Sequence, residues 1–464
     1  MERISRLRAR HVYEGAGALA LLRLLAVKNI PASGLREVPG GFMFRIGKNP
    51  FDLLRNACKK YGDVCYISGG LGRLYLVNNP DYIHDILVSD HKNFVKRSPL
   101  KFLGNGLITS NGEYHHKQKR LIQPAFHQDR IASYAPIVTD FTQRMCAEWT
   151  DGEVVDMQVP TMRLTLQIVA KALFGTDVED AWKDVGRSAT AIIDYLDRLT
   201  GPTAPIVRRL PTSKKYLEAV QKLDEIVYGI IAERRRNPGS NGSDLLSMLL
   251  SARSENGETM TDRQLRDETI TLLFAGHETT STALIWTWYL LAKSPAVVEK
   301  LHAELDPLMP DGKTLTAGDL PRLPYTTKVF SEALRMYPSV RLIPRVAIDD
   351  YEVNGLRIPG GSLILMSQYL IHHDSRFYKD PEEFDPDRWT PEMEAKLPEY
   401  AYFPFGGGPR RCVGEPFAWM EATLIIAMVA RGWKMSLVPG EKYELRPRIG
   451  SRPKNGIRLR LNKL

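Results

Sequence analysis

Apolar positions recur at helical spacing through most of the chain and alternate in strand fashion only in short runs. The three-to-four-residue rhythm over 52–61, 80–88, 113–126, 159–174, 214–236, 244–250 and 324–337 predicts helices that bury one face. One stretch, 416–429, is apolar on nearly every side and predicts a buried helix, and residues 262–292, with Thr261 as cap and Asp262 in the first turn, predict a long helix. β-rich runs at 64–68, 74–77, 338–348 and 362–367 predict short strands, with turns at 69–72 and at Gly360 and Gly361. The basic, alternating tail at 445–461 predicts a last small sheet. The pattern is that of a mainly α protein with small β-sheets. A polar, glycine-rich turn at 237–243 and a Pro- and Gly-containing connection at 201–211 separate helices.

The 464 residues contain no linker that would divide them, so 41–464 is expected to be one domain, preceded by a 1–40 tail or surface helix. Cysteines at 58, 65, 146 and 412 form no C-x-x-C pair, which argues against a zinc site or disulfide framework and suits a reducing, cytoplasmic setting. Lys plus Arg exceed Asp plus Glu by 63 to 54, a formal charge of +9. Spread over this length, the excess calls for neither nucleic acid nor membrane. The apolar run 15–27 is too short to cross a bilayer and is broken by Arg23, so no transmembrane anchor is expected. No small-residue cleavage site follows it. A surface-lying amphipathic helix with peripheral membrane contact stays open.

Candidate chemistry concentrates just before the second buried helix. Residues 405–414 read F-G-G-G-P-R-R-C-V-G. Clustered glycines let backbone approach a flat partner, and a thiol at a helix N-terminus beside Arg410 and Arg411 is expected to ionise and ligate metal. Phe405, Gly408, Arg410, Cys412 and Gly414 together give F-x-x-G-x-R-x-C-x-G, and here the chain resembles the haem-thiolate monooxygenases, the cytochrome P-450 family. The resemblance implies haem b with Cys412 as axial ligand to the iron, pushing electron density towards O–O cleavage. It implies that Arg410 pairs with a haem propionate, that Phe405 shields the thiolate, and that Gly406 and Gly414 shape the loop.

The same resemblance gives meaning to other segments. A-G-H-E-T-T at 275–280 sets Glu278 beside Thr279 in an apolar helix, a costly arrangement to bury without partners or water. In the family such an acid–alcohol pair relays protons during dioxygen activation, with Ala275 and Gly276 leaving room for O2. The 113–126 segment ends in L-I-Q-P-A-F, but His115 and Lys119 stand where the family has Trp and Arg. Their i, i+4 spacing puts both on one face, and both can donate to a propionate. Arg345 lies where the family has a further propionate-binding arginine. Glu332 and Arg335 in S-E-A-L-R, with Arg388 from F-D-P-D-R-W, imply a buried structural network. Leu100, Leu107, Leu272, Val340, Ile343 and Gly450 are the expected substrate-pocket positions.

From about residue 50 to the end, the chain thus resembles a soluble bacterial monooxygenase. It would hydroxylate or epoxidise a hydrophobic small molecule with O2, drawing electrons from a separate ferredoxin or flavodoxin and its reductase, since no fused reductase follows. A terpenoid or similar secondary metabolite is the expected substrate, fatty acids or macrolides being next, and a monomer is expected. A peroxide-using hydroxylase or isomerase would commonly lose the acid–alcohol pair, and a non-catalytic haem sensor or carrier would not need it. Lys117, Arg120 and residues near Arg411 are the expected docking surface for an acidic electron carrier.

Overall fold

The computed structural model describes residues 50–464 except 68–72, 98–99, 176–181, 201–206, 208–210, 238–243, 253–256, 258, 311–312 and 447–449. The expected N-terminal tail or helix, the 69–72 turn and nearly all of the 201–211 connection lie outside the described residues.

The body is helical, and the 32-residue helix Asp262–Lys293 runs through its core. At 1.5 Å per residue it spans roughly 48 Å. Thr261 and Gln264 close a capping box at its start, Thr261 Oγ1 accepting from the Gln264 amide at 3.3 Å and Gln264 Oε1 accepting from the Thr261 amide at 2.9 Å. Leu265 to Leu291 is buried on almost all faces because helices Gln158–Phe174, Lys214–Arg236, Pro324–Met336 and Glu415–Gly432 pack around it. Helix Glu415–Gly432 also lies against Gln128–Ala147. That helix, together with Trp182–Thr200 and Pro295–Leu305, adds to the helices read from the sequence.

A five-stranded sheet flanks this body in the order Val64–Ile67, Leu74–Val77, Leu363–Met366, Ile343–Ala347, Phe94–Val95. The one parallel pair joins Leu74–Val77 to Leu363–Met366, in a register that sets Val77 opposite Met366. The expected 338–348 strand begins only at Ile343. Its first residues instead turn past the long helix, where the Ser339 hydroxyl donates to the Thr279 carbonyl at 2.7 Å and Val340 bridges Gly450. The tail forms a sheet as expected, Arg458–Lys463 lying between Val154–Asp156 and Trp433–Leu437.

Three groups fix the loop that precedes the Glu415–Gly432 helix. Glu332 and Arg335 are wholly buried and bonded twice, at 2.8 Å each. Arg388 Nε donates to Glu332 Oε1 at 2.9 Å, and the Trp389 indole donates to Oε2 at 3.0 Å. A buried carboxylate is tolerable when its lone pairs are filled in this way. Arg335 Nη1 then donates to the His372 carbonyl at 2.8 Å, and His372 Nε2 accepts from the Phe403 amide at 3.2 Å. Gln368 Nε2 donates to the carbonyls of Phe403 and Pro404. A continuous set of bonds thus runs from the charged network to the start of the cysteine loop.

Candidate active site

The cysteine loop closes on itself through the Cys412 amide, which donates to the Phe405 carbonyl at 3.0 Å. Gly406 and Gly408 take φ of 72° and 62°, in the left-handed region that glycine tolerates. At Gly408 a Cβ would stand 1.9 Å from the Leu87 carbonyl oxygen, so no side chain fits there. Phe405 packs against Trp419 with ring centroids 5.7 Å apart.

The loop forms one wall of a cavity of about 330 Å³, and the long helix forms the facing wall. Cys412, Phe405, Gly406 and Gly414 line the first wall; Leu272, Ala275, Gly276, Thr279 and Thr280 line the second. Leu107, Val340 and Ile343 complete it. Two expected pocket residues do not reach the cavity. Leu100 packs into the helical core instead, and Gly450 is spent on its bridge to Val340.

One rim of the cavity is cationic. Lys96, His115, Arg345 and Arg410 line it, and among the described residues no carboxylate does. Arg410 Nη2 donates to the Ser110 carbonyl and, at 2.9 Å, to Asn111 Oδ1. Burial, reinforced by Arg410, brings Arg345 down to about 10. Burial and then Arg410 lower His115 to about 3, so its imidazole is neutral and offers one N–H. Lys119 also lines the cavity, but Nζ donates to the Pro409 and Arg411 carbonyls at 2.9 and 3.3 Å. This ammonium staples the cysteine loop to the Gly112–Ile122 helix with two of its three donors, and the third is left for the expected reach towards a propionate. Lys96 was not legible as a site residue. Its signal was the alternation after Phe94, which is buried and shares a face with residue 96 in extended chain.

Cys412 does not ionise through its neighbours alone. Its side chain is exposed to the open cavity, yet the enclosing protein pushes its thiol up to about 11, against the opposing amides of Gly414 and Glu415 and the Lys119 charge. Arg411, expected to help, is turned to Glu415 at 2.6 Å. A metal can replace the thiol proton, so the group is a ligand in waiting and not a free thiolate.

The acid–alcohol pair also departs from expectation. Thr279 Oγ1 donates back to the Ala275 carbonyl at 2.6 Å. Glu278 does not line the cavity; both its carboxylate oxygens are taken by Nε and Nη2 of Arg452. Around this turn hydroxyls from Thr279, Thr165, Ser281 and Ser339 bond the carbonyls of residues 275, 277, 278 and 279, so the helix ladder is shared with side chains. On the far side of Thr280 lies Glu421, fully buried, whose carboxyl burial pushes up to about 8 with the Thr280 hydroxyl opposing. Neither Arg452 nor Glu421 stood out in the sequence.

A slot with a thiol on one face, apolar and small residues on the other, and uncompensated cations at one edge suits a flat apolar dicarboxylate. The profile of the family described as Cytochrome P450 matches residues 38–459. The chain belongs to this family.

Relatives of this P450 include the cyclooctatin synthase of Streptomyces melanosporofaciens, 34% identical over 88% of this chain and 90% of the relative. The cyclooctat-9-en-7-ol 5-monooxygenase of the same organism is 35% identical over 86% and 88%. The pentalenene oxygenase of Streptomyces avermitilis is 31% identical over 86% and 90%. Among solved structures, retinoic acid-bound cyanobacterial CYP120A1 superimposes with a TM-score of 0.81 at 28% identity, covering 90% of this chain and 95% of that one. The chain is thus a P450 monooxygenase, and its family implies a haem-thiolate cofactor, O2, an organic substrate and a redox partner. No helix among the described residues is long and apolar enough to cross a membrane.

Proposed function

We propose that this P450 hydroxylates or epoxidises a terpenoid or similarly hydrophobic secondary metabolite, with electrons from a ferredoxin or flavodoxin and its reductase. The observation that carries the reading is the cavity itself: Cys412 opposite Thr279, a carboxylate-free cationic rim, and an apolar remainder. The substrate class is supported by the names of the three Streptomyces relatives and by Leu107, Ile108, Val169, Leu173 and Leu272 on the cavity wall.

Haem b would be held by Cys412 at the iron and by Arg345, Arg410 and His115 at the propionates, and it supplies oxygen activation when bound. The chain's own residues do the rest. Phe405 covers the sulfur side of the loop. Ala275 and Gly276 put little side-chain bulk into the cavity that Cys412 lines and would leave room there for O2. Thr279 must turn from the Ala275 carbonyl to present its hydroxyl proton to the cavity. Glu278 resupplies that hydroxyl through water once its bidentate pair with Arg452 loosens.

Two measurements test the reading. A spectral screen with one terpenoid, one fatty acid and one macrolide should give the largest shift with the terpenoid. In turnover, Thr279→Ala should keep oxidising reductant while product falls roughly tenfold or more and hydrogen peroxide rises. Product formation that keeps pace with electron use in this variant rules out the role of Thr279.

A further inference from the structure

Residues 104–107 form a loop that brings Leu107 to the cavity, and two neighbouring carboxyl groups of the long helix hold it there. The Asn105 amide donates to Asp267 Oδ2 at 2.8 Å, and the Leu107 amide donates to Glu268 Oε2 at 2.9 Å. A Cβ on Gly104 would run into the Asp267 carboxylate, and one on Gly106 into the Thr271 hydroxyl, so the loop lies flat on the helix. We propose that Glu268 is a positioning residue that governs how readily this loop lifts from the helix, and so how ligands enter the cavity. The part about entry rests on the reading that the cavity holds haem.

The two carboxyl groups differ in what balances them. Asp267 Oδ1 accepts from Arg266 Nη1 at 2.9 Å, so its charge is paired while the loop is closed. Glu268 is only 1% exposed, and its Oε1 has no hydrogen-bond partner among the described residues. What faces it is anionic or neutral: Asp267 beside it, the Leu107 amide on the loop, and Tyr114 on the Gly112–Ile122 helix, whose phenol burial pushes up. Burial, opposed by the Leu107 amide and reinforced by Asp267, pushes the Glu268 carboxyl from its ordinary 4.5 up to about 7. Ionised beneath the closed loop, it is a half-satisfied buried charge. Lifting the loop gives it water.

The sign follows by linkage. The closed state has the higher carboxyl pKa, so the contribution of Glu268 to closure is complete below 4.5 and is lost as pH rises through about 7. The loop should therefore lift more readily at neutral pH than in acid.

The test uses the holoenzyme. Amide hydrogen exchange of the peptide spanning 104–110 is followed from about pH 5 to about pH 8, and division by the intrinsic rate of unprotected amides leaves the opening equilibrium. In the wild type this equilibrium should rise roughly ten- to a hundredfold between about pH 5 and about pH 7, then level off. Glu268→Gln, which cannot ionise but keeps an acceptor for the Leu107 amide, should show no rise. Entry is read from the association rate of phenylimidazole, followed as the haem spectrum becomes that of nitrogen-ligated iron. Dividing wild type by variant at each pH cancels the ligand's own titration, and the ratio should climb in step with exchange. A flat wild-type equilibrium, or the same slope in both proteins, overturns the proposal. Exchange that responds while the rate ratio stays constant overturns the link to entry. Should Glu268→Gln yield no holoenzyme, the wild-type exchange decides alone: a rise that levels near pH 7 supports the proposal and a flat profile overturns it. A haem without thiolate ligation would bring down the underlying reading of the cavity, and the exchange slopes would still judge Glu268.

Discussion

Glu421 shows how a single buried group ties the cavity to stability. It is fully buried beside Thr280, and among the described residues no cation pairs with it. Its folded-state pKa, about 8, lies above the ordinary carboxyl value, so between the two the native state binds the extra proton. Stability must therefore fall as pH rises through that interval. Glu421→Gln, neutral at all pH, should remove the fall and be more stable than wild type above pH 8, by a margin that chemical denaturation of the two proteins at pH 6 and pH 9 will show. Parallel losses in both proteins would mean that Glu421 is not the group responsible. Cys412 differs in facing the open cavity, where the enclosing protein nonetheless favours its thiol proton until a metal displaces it. The sequence made this cysteine conspicuous through its glycines and arginines, but it could not show that Arg411 turns to Glu415 or that Lys119 faces loop carbonyls. Those choices depend on which oxygen lies within reach after folding.

Among the elements, the cysteine loop is rigid because other segments hold it. Glu332 receives Arg335, Arg388, Trp389 and the Asp385 amide, and Arg335 passes support to His372 and so to Phe403. Removing the carboxylate leaves two buried guanidinium groups short of their anion, a loss of about 3–5 kcal/mol. Glu332→Ala should accordingly be isolated largely without haem, measured as the haem-to-protein absorbance ratio, and a normal ratio would separate the network from the loop. The helices were legible because their apolar spacing is a local property: the Asp262–Lys293 cap and the Glu415–Gly432 helix follow directly from it. The 338–342 segment was not. Its β-rich composition predicted strand, yet Ser339 and Val340 bond to Thr279 and Gly450, partners about 60 and 110 residues away. The pairing of Glu278 with Arg452 is not legible for the same reason, as their 174-residue separation leaves no mark on local pattern.

For the molecule as a whole, the formal charge of +9 gains meaning only where it gathers. Lys117 and Arg120 are exposed on the Gly112–Ile122 helix, whose Lys119 is bonded to the cysteine loop. An acidic electron carrier docking on this side would lie close to the sulfur. Lys117→Glu should slow the first electron transfer several-fold at low ionic strength and flatten its salt dependence, as followed by stopped-flow reduction. Unchanged rates at every salt concentration would place the docking surface elsewhere. All of these roles presuppose that the thiol of Cys412 binds the haem iron. The most direct measurement is the absorbance spectrum of the purified protein reduced under carbon monoxide, beside that of Cys412→Ser. The account predicts the red-shifted carbonyl band of a thiolate-ligated haem in the wild type and its loss in the variant. A wild-type band like that of an imidazole-ligated globin, or the same band in both proteins, would contradict it.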